Sequence, residues 1–362
     1  MSWQPISSGE VAALADYEPC DYQEPLGNTT VKVSARRERI ENHDKKWWLA
    51  RKVKQLLSGT GYRVLNCQKA IRTQVEVQKS ADGEASRIDG VMLCGSVWLC
   101  PVCAQRIAYE RSLMLKQANQ AGYKMVLVTA TLQHSRTDSL KELLKALKSA
   151  LKALKSGRWW QGFREKYGVV AYVSSFEITY GVNGWHPHCH MLFYLSGEVD
   201  AEEFGSAFRE RYVELIEREG SYASYYHSVD VRKADSDASS YLTKWSLSEE
   251  LTGSFAKSGA GKTFWQLVED GRAELVREYA EATFGLKALT FSQGAKKLLG
   301  IENFSIEQPQ EWVTVAEVSA EAWRVVCDKA LQGVCLELAL YPDDGEALQM
   351  FIESLVAFID DS

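Results

Sequence analysis

Three of the six histidines of this chain fall within five residues, at His186, His188 and His190. The chain then continues into the apolar run 191–195, which is typical of a buried strand. Because alternate side chains of a strand leave the same face, His188 and His190 point the same way. Two neutral imidazoles side by side on a sheet supply half of a divalent metal site. A chance cluster of polar residues at a strand end is the alternative, and the spacing of two favours the metal site.

The region 123–250 alternates between strand and helix patterns, and we expect it to form the main domain. Helices are predicted at 201–219, at 235–250 and after Asp138. Asp138 can cap the last of these helices, whose leucines fall at helical spacing and form an apolar stripe. Strands are predicted at 124–132, 169–180, 185–195 and 225–233. The order β-α-β-β-α-β-α predicts an α+β domain, an antiparallel sheet with helices on one face, as in RRM-like folds.

A cluster of cysteines precedes this domain. Cys94, Cys100 and Cys103 have a C-x5-C-x2-C spacing, and Cys67 lies upstream as a fourth candidate. Thiolates two residues apart across a tight turn can bind one tetrahedral zinc ion. Free core thiols or a redox pair are the alternatives, but the thioredoxin-like pattern of a redox pair is absent. We therefore predict a structural zinc site in a small lobe at 60–122.

Charge is distributed unevenly along the chain, although the net charge is only −6. Residues 31–170 contain 27 Lys and Arg against 11 Asp and Glu, whereas 301–362 contain 2 against 13. The basic half predicts binding of a polyanion such as DNA, and the acidic tail predicts other contacts. Cations typical of a phosphate-binding surface lie in a predicted basic helix, interleaved with two tryptophans: Arg36, Arg37, Arg39, Lys45, Lys46, Arg51, Lys52 and Lys54.

These patterns divide the chain into five segments. They are an N-terminal arm with the basic helix (1–59), the cysteine lobe (60–122), the main domain (123–250), a loop and helical extension (251–300), and an acidic helical segment (301–362). No apolar run approaches membrane-spanning length, and the first ten residues have no signal-peptide pattern. We therefore expect a soluble, cytoplasmic protein.

A tyrosine with a lysine one turn later occurs in the helix predicted at 235–250. Asp237, Tyr241 and Lys244 share one face, since three or four residues make one helical turn. A phenol is a poor nucleophile until a cation or a base assists it, and Lys244 and Asp237 could give such help. The same pattern fits a half-buried tyrosine with an ordinary lysine neighbour, but the preceding histidine pair favours a nucleophile.

Several of these motifs resemble those of a known superfamily. His188-Cys189-His190 resembles the His-hydrophobic-His element of the HUH endonucleases, and Tyr241-x-x-Lys244 resembles their single-tyrosine motif. The apolar strand 126–131, the cysteine cluster and the 291–300 segment are similar to those of the Rep proteins of rolling-circle bacterial plasmids. The resemblance covers roughly residues 60–300.

The resemblance implies a metal-dependent site. It implies an HUH endonuclease fold in which Mg²⁺ or Mn²⁺ is held by His188, His190 and a third polar ligand. Glu177 lies on the preceding predicted strand, and antiparallel pairing across the turn 181–184 would bring it beside the histidines. It is preferred for this role because a carboxylate suits Mg²⁺ better than an imidazole does. His186 lies on the same face and is the competing third ligand.

The resemblance also implies a reaction and its partners. Tyr241 would attack single-stranded plasmid origin DNA, leaving a 5′-phosphotyrosine and a free 3′-hydroxyl, and the strand would later be rejoined. Asp237 would activate the second nucleophile. Duplex origin DNA, a host helicase and a host polymerase would be the partners.

Other functions fit parts of the sequence. A non-catalytic, zinc-dependent protein that binds origin DNA would leave the histidines structural. A transposase or relaxase of the HUH type is a further alternative, although relaxases usually place the tyrosine ahead of the histidines. A zinc hydrolase would leave the tyrosine helix unexplained. Residues Ala256 to Thr263 nearly match a phosphate-binding loop, but Ala256 replaces its first glycine, so no nucleotide cofactor is predicted.

Overall fold

The computed structural model describes residues 33–234, 261–305, 311–341 and 345–360, and side chains from 45 to 357 within those ranges. The helices in the described residues are α1 Val33–Leu56, α2 Pro101–Asn119, α3 Leu140–Leu154, α4 Gly157–Tyr167, α5 Ala201–Arg218, α6 Phe264–Glu269, α7 Ala273–Ala282, α8 Ala295–Leu298, α9 Ala320–Lys329, α10 Gln332–Leu338 and α11 Glu346–Asp360. The strands are β1 Gln74–Ser80, β2 Ser86–Asp89, β3 Lys124–Thr131, β4 Val169–Gly181, β5 Gly184–Leu195, β6 Val229–Ala234, β7 Leu289–Phe291 and β8 Trp312–Ser319. Among these residues, no helix is both long and apolar enough to cross a membrane.

The chain forms two compact units, of which Gly95–Ile306 is the larger. Its five-stranded sheet has the order β6-β3-β5-β4-β7, and every pairing is antiparallel. The predicted antiparallel sheet is therefore confirmed. Strand β6 begins at Val229, four residues later than predicted, because residues 225–227 form a turn.

A cluster of aromatic rings from β5, α4 and α5 covers one face of this sheet. Phe193 of β5 meets Phe204 and Phe208 of α5 at centroid distances of 5.4 and 6.0 Å. Phe163 of α4 stands against the same two α5 rings, at 4.8 and 6.3 Å. Such ring pairs add to the free energy gained by removing apolar surface from water. Helix α4 was not predicted from the sequence.

Helix α3 has the predicted apolar stripe, and its leucines at helical spacing are buried. Its N-cap is Ser139, whose side chain accepts a hydrogen bond from the backbone N–H of Glu142. Asp138, the predicted cap, instead accepts from the backbone N–H of Ser135 at 2.6 Å.

The prediction that helices lie on only one face of the sheet is wrong. Leu192 and Tyr194 of β5 point away from Phe193, and they are also fully buried. Helix α2 covers them with Met114 and Leu115 in a second apolar cluster. This cover ends partway along the strand. Burial in β5 is continuous from position 189 to 195 but alternates before it, so the other end of this face remains more open.

The smaller unit comprises residues up to Cys94 and from Glu307 onward. It contains a three-stranded antiparallel sheet in the order β2-β1-β8. The acidic segment, predicted to be mainly helical, contains helices α9, α10 and α11, but it also contains strand β8, which was not predicted. Val318 of β8 pairs with Val75 of β1 and both are fully buried. The predicted segment boundaries at 60 and 301 do not coincide with this unit, because β1 and β8 belong to one sheet.

The aromatic cluster gives a test of the packing. Phe208→Ala should lower the free energy of unfolding by about 3–5 kcal/mol, because a fully buried ring leaves a cavity. The urea midpoint followed by circular dichroism measures it. Phe284, which is 80% exposed, provides the matched control Phe284→Ala. Equal midpoints for the two variants would contradict the assigned core.

Candidate metal centres

The strand register brings the histidines beside polar residues of both neighbouring strands. In β5, His188 pairs with Glu177 of β4 and Thr131 of β3. His190 pairs with Thr129 of β3. Directly opposed residues share a face of the sheet, so these side chains form one cluster at its open end. The prediction that Glu177 lies beside the histidines is confirmed by this pairing.

His190 is held by hydrogen bonds at both ring nitrogens. Its Nε2 lies 2.8 Å from Oε2 of Glu177, and its Nδ1 lies 3.0 Å from Oγ1 of Thr129. The ring is buried, so its orientation is fixed by these two contacts. Because a hydroxyl can donate or accept, Thr129 tolerates a proton on either side of the ring.

His188 is a half-buried imidazole with one enclosed ring nitrogen. Within the described part of the chain, its buried Nδ1 has no hydrogen-bond partner. Burial, and then the neighbouring His186, lower the pKa of His188 to about 3. Burial, and then His134, lower the pKa of His186 to about 4. Both rings are therefore neutral at neutral pH, which is the form that binds metal ions.

The chemistry of these donors fits a divalent ion, since imidazole and carboxylate are common ligands of such ions. Ring centroids are 4.0 Å apart for His186 and His188 and 6.1 Å apart for His188 and His190. In the described ranges, only the cysteines bring three or more ligand atoms within 4.8 Å of one another. The histidines and Glu177 would therefore have to turn toward one another to share an ion.

The four predicted cysteines come together as a buried group. The ligand atoms of Cys67, Cys94, Cys100 and Cys103 all lie within 4.8 Å of one another. Cys67 approaches Cys94 because the N–H of Gln68 donates, at 2.7 Å, to a carbonyl two residues before Cys94. Cys100 is the N-cap of α2, and its Sγ accepts from the N–H of Cys103 at 3.5 Å. Sulfur ligands of tetrahedral zinc lie roughly 3.8 Å apart, so this group could hold a metal ion such as zinc.

The cationic side chains of the basic helix are less available to a phosphate than its sequence indicates. Lys46 is buried, and Arg51 and Lys54 donate to backbone carbonyls at 2.9 and 2.6 Å. Trp47 is also buried, so it cannot stack on a nucleic-acid base. Phosphate binding by this helix stays a prediction. The two other predicted cations whose side chains are described are Lys45 and Lys52, and both are half-buried. Three further predicted cations lie outside the described side chains: Arg36, Arg37 and Arg39.

The predicted tyrosine helix lies outside the described residues, and with it Asp237, Tyr241 and Lys244. Their roles stay predictions. Most of the near phosphate-binding loop also lies outside them. Within the described part, Lys262 forms an ion pair with Asp270, and Thr263 caps helix α6.

His134 belongs to the same cluster, although it was not predicted from the sequence. Its Nε2 lies 2.6 Å from Nδ1 of His186. The sequence does contain an indication that His134 lies near the histidines, because His134 follows the predicted strand 124–132 by only two residues. That strand lies next to β5, so its end had to approach the histidines.

An antiparallel sheet with a histidine–carboxylate cluster, together with a buried four-cysteine group, defines a candidate metal-binding protein. The chain belongs to the replication protein family, whose profile matches residues 85–322. A protein rep of Streptomyces lividans is 24% identical over 321 residues, covering 64% of this chain and 69% of that protein. A neomycin resistance protein of Streptomyces cyanogenus is 28% identical over 153 residues, covering 34% of this chain and 35% of that protein. No solved structure matches significantly.

The cysteine group predicts about one zinc ion per purified chain. Cys103→Ser should lose this zinc and become sensitive to protease around residues 60–110, since a structural zinc contributes folding energy. Elemental analysis and limited proteolysis measure both. Cys335→Ala is the matched control, because Cys335 is buried outside the group. Zinc-free wild type, or zinc lost only with the histidines, would refute a separate cysteine site.

Proposed function

We propose that this chain initiates plasmid replication by nicking single-stranded origin DNA through tyrosine transesterification. Membership of the replication protein family supports the initiator role. The single observation that supports the nicking activity is that strand pairing places His188, His190 and Glu177 side by side. That cluster places two imidazoles and a carboxylate toward the more open end of a sheet face.

His188, His190 and Glu177 would hold Mg²⁺ or Mn²⁺ in this proposal. When bound, such an ion supplies positive charge that stabilises the phosphoryl oxygens of the scissile phosphate in the transition state. The residues contribute orientation. Thr129 would orient the His190 ring through Nδ1, and burial keeps His188 neutral and ready to bind. His186 remains the alternative to Glu177 as third ligand.

The nucleophile in this proposal is Tyr241, from its motif in the sequence. Its phenol oxygen would form a bond to phosphorus while the bond from phosphorus to the 3′ oxygen breaks. The phenol proton would leave to a base, and the 3′ oxygen would take up a proton. Lys244 would stabilise negative charge on the phenolate or phosphate, and Asp237 would activate the second nucleophile that ends the cycle.

The four-cysteine group supports a second part of the proposal. A zinc ion held there would stabilise a lobe that docks on duplex origin DNA. The same group alone would suit a non-catalytic, zinc-dependent DNA-binding protein. The two functions differ in one product, since only the nicking enzyme leaves protein covalently attached to a 5′ end.

Tyr241→Phe should abolish the covalent protein–DNA adduct, because it removes only the attacking oxygen. The measurement incubates full-length protein and Mn²⁺ with origin-bearing supercoiled plasmid and scores nicked circles with protein on the 5′ end. Tyr226→Phe is the matched control, because Tyr226 is 82% exposed and outside the proposed machinery. An adduct at wild-type level in Tyr241→Phe would reject this nucleophile.

Combined His188→Ala and His190→Ala substitutions should reduce Mn²⁺-dependent nicking more than about a hundredfold, because both imidazole ligands are lost. Zinc content should stay unchanged. EDTA should reproduce the loss of nicking in wild type, whereas His227→Ala, at an exposed histidine, should not. Robust nicking by the double variant, or by metal-free wild type, would show that the histidines hold no catalytic ion.

A further inference from the structure

His134 is placed against the histidine cluster by the turn that joins β4 and β5. Its Nδ1 lies 3.0 Å from the carbonyl oxygen of Asn183 in that turn. Gly184 lets the chain after His134 approach closely. A Cβ at this position would lie 2.8 Å from the carbonyl oxygen of Ser135, and the φ of Gly184 is +87°. The β4–β5 hairpin therefore fixes the position of His134.

The hydrogen bonds from Asn183 through His134 to His186 determine which nitrogen of His186 has the proton. A carbonyl only accepts, so the contact with Asn183 requires a proton on Nδ1 of His134. In a neutral ring, Nε2 of His134 then has a lone pair. Its 2.6 Å contact with Nδ1 of His186 requires the proton to lie on that nitrogen of His186.

The other nitrogen of His186 is then left with a lone pair. Its Nε2 lies 3.4 Å from Oγ1 of Thr131, whose single proton is donated to the carbonyl oxygen of Pro187 at 2.9 Å. The hydroxyl therefore does not supply a proton to Nε2 of His186. His186 also stands against the ring of His188, with centroids 4.0 Å apart.

We propose that His134 is a positioning residue that holds His186 in the Nδ1–H tautomer, so that Nε2 of His186 binds the divalent ion of the cluster. The inference rests on the proposed metal site and deepens it by adding a ligand and the residue that orients it. Residues that hydrogen-bond the far nitrogen of a metal-binding histidine typically change metal affinity by 10–100-fold when they are replaced.

The experiment compares two substitutions of His134 in the full chain. His134→Leu keeps bulk but removes the acceptor, whereas His134→Gln has a side chain of similar reach with an acceptor oxygen. Nitrogen-15 NMR of metal-free protein at pH 8, above the ordinary imidazole pKa of about 6.5, reports the tautomer of His186. Titration with Mn²⁺ alone reports the affinity. His227→Leu is the matched control at an exposed histidine.

We expect wild type to show the Nδ1–H tautomer at His186. His134→Leu should lose it and bind Mn²⁺ about 10–100-fold more weakly, and His134→Gln should recover much of both. An Nε2–H tautomer in wild type, or Mn²⁺ affinity in His134→Leu within about twofold of the wild-type value, would overturn the inference while the His188 and His190 site stands. No Mn²⁺ binding by wild type would overturn the proposed metal site as well.

Discussion

The histidine cluster depends on the pairing of β5 with β3 on one side and β4 on the other. Because side chains alternate along a strand, this register decides which face His188 and His190 occupy. A slip of one residue would turn them toward the aromatic cluster around Phe193 and bring Phe193 to the other face. Burial of Phe193 against α4 and α5 therefore fixes the register, and with it the cluster.

The two candidate metal centres differ in the chemistry of their donors. Four buried thiols form a soft, closed set that suits zinc and leaves no position for a substrate. The histidines and Glu177 form a mixed nitrogen and oxygen set at the more open end of a sheet face. One set therefore suits stabilisation of the fold, and the other suits the proposed binding of a phosphate together with a metal ion.

The sequence predicted the central strands and the proximity of Glu177 to the histidines, because periodicity of two and a short turn are local signals. It did not predict the pairing of β1 with β8, since a contact between residues more than two hundred positions apart leaves no local pattern. Cover of Leu192 and Tyr194 by α2 was missed for the same reason. The proposed role of His134 depends on its hydrogen bond to His186, which spacing along the chain does not encode.

Burial also changed the interpretation of the basic helix. Composition indicated a phosphate-binding surface, yet Lys46 and Trp47 are buried, and Lys54 is bonded to a backbone carbonyl. Long cationic side chains can cover apolar surface and satisfy internal acceptors, so their number alone does not define a binding surface.

Anomalous scattering from crystals of the full chain containing Mn²⁺ would locate the ion in the histidine cluster. We expect a manganese peak at bonding distance from ring nitrogens of both His188 and His190. Crystals in which manganese is absent from this cluster, with His190 still bonded only to Glu177 and Thr129, would contradict it.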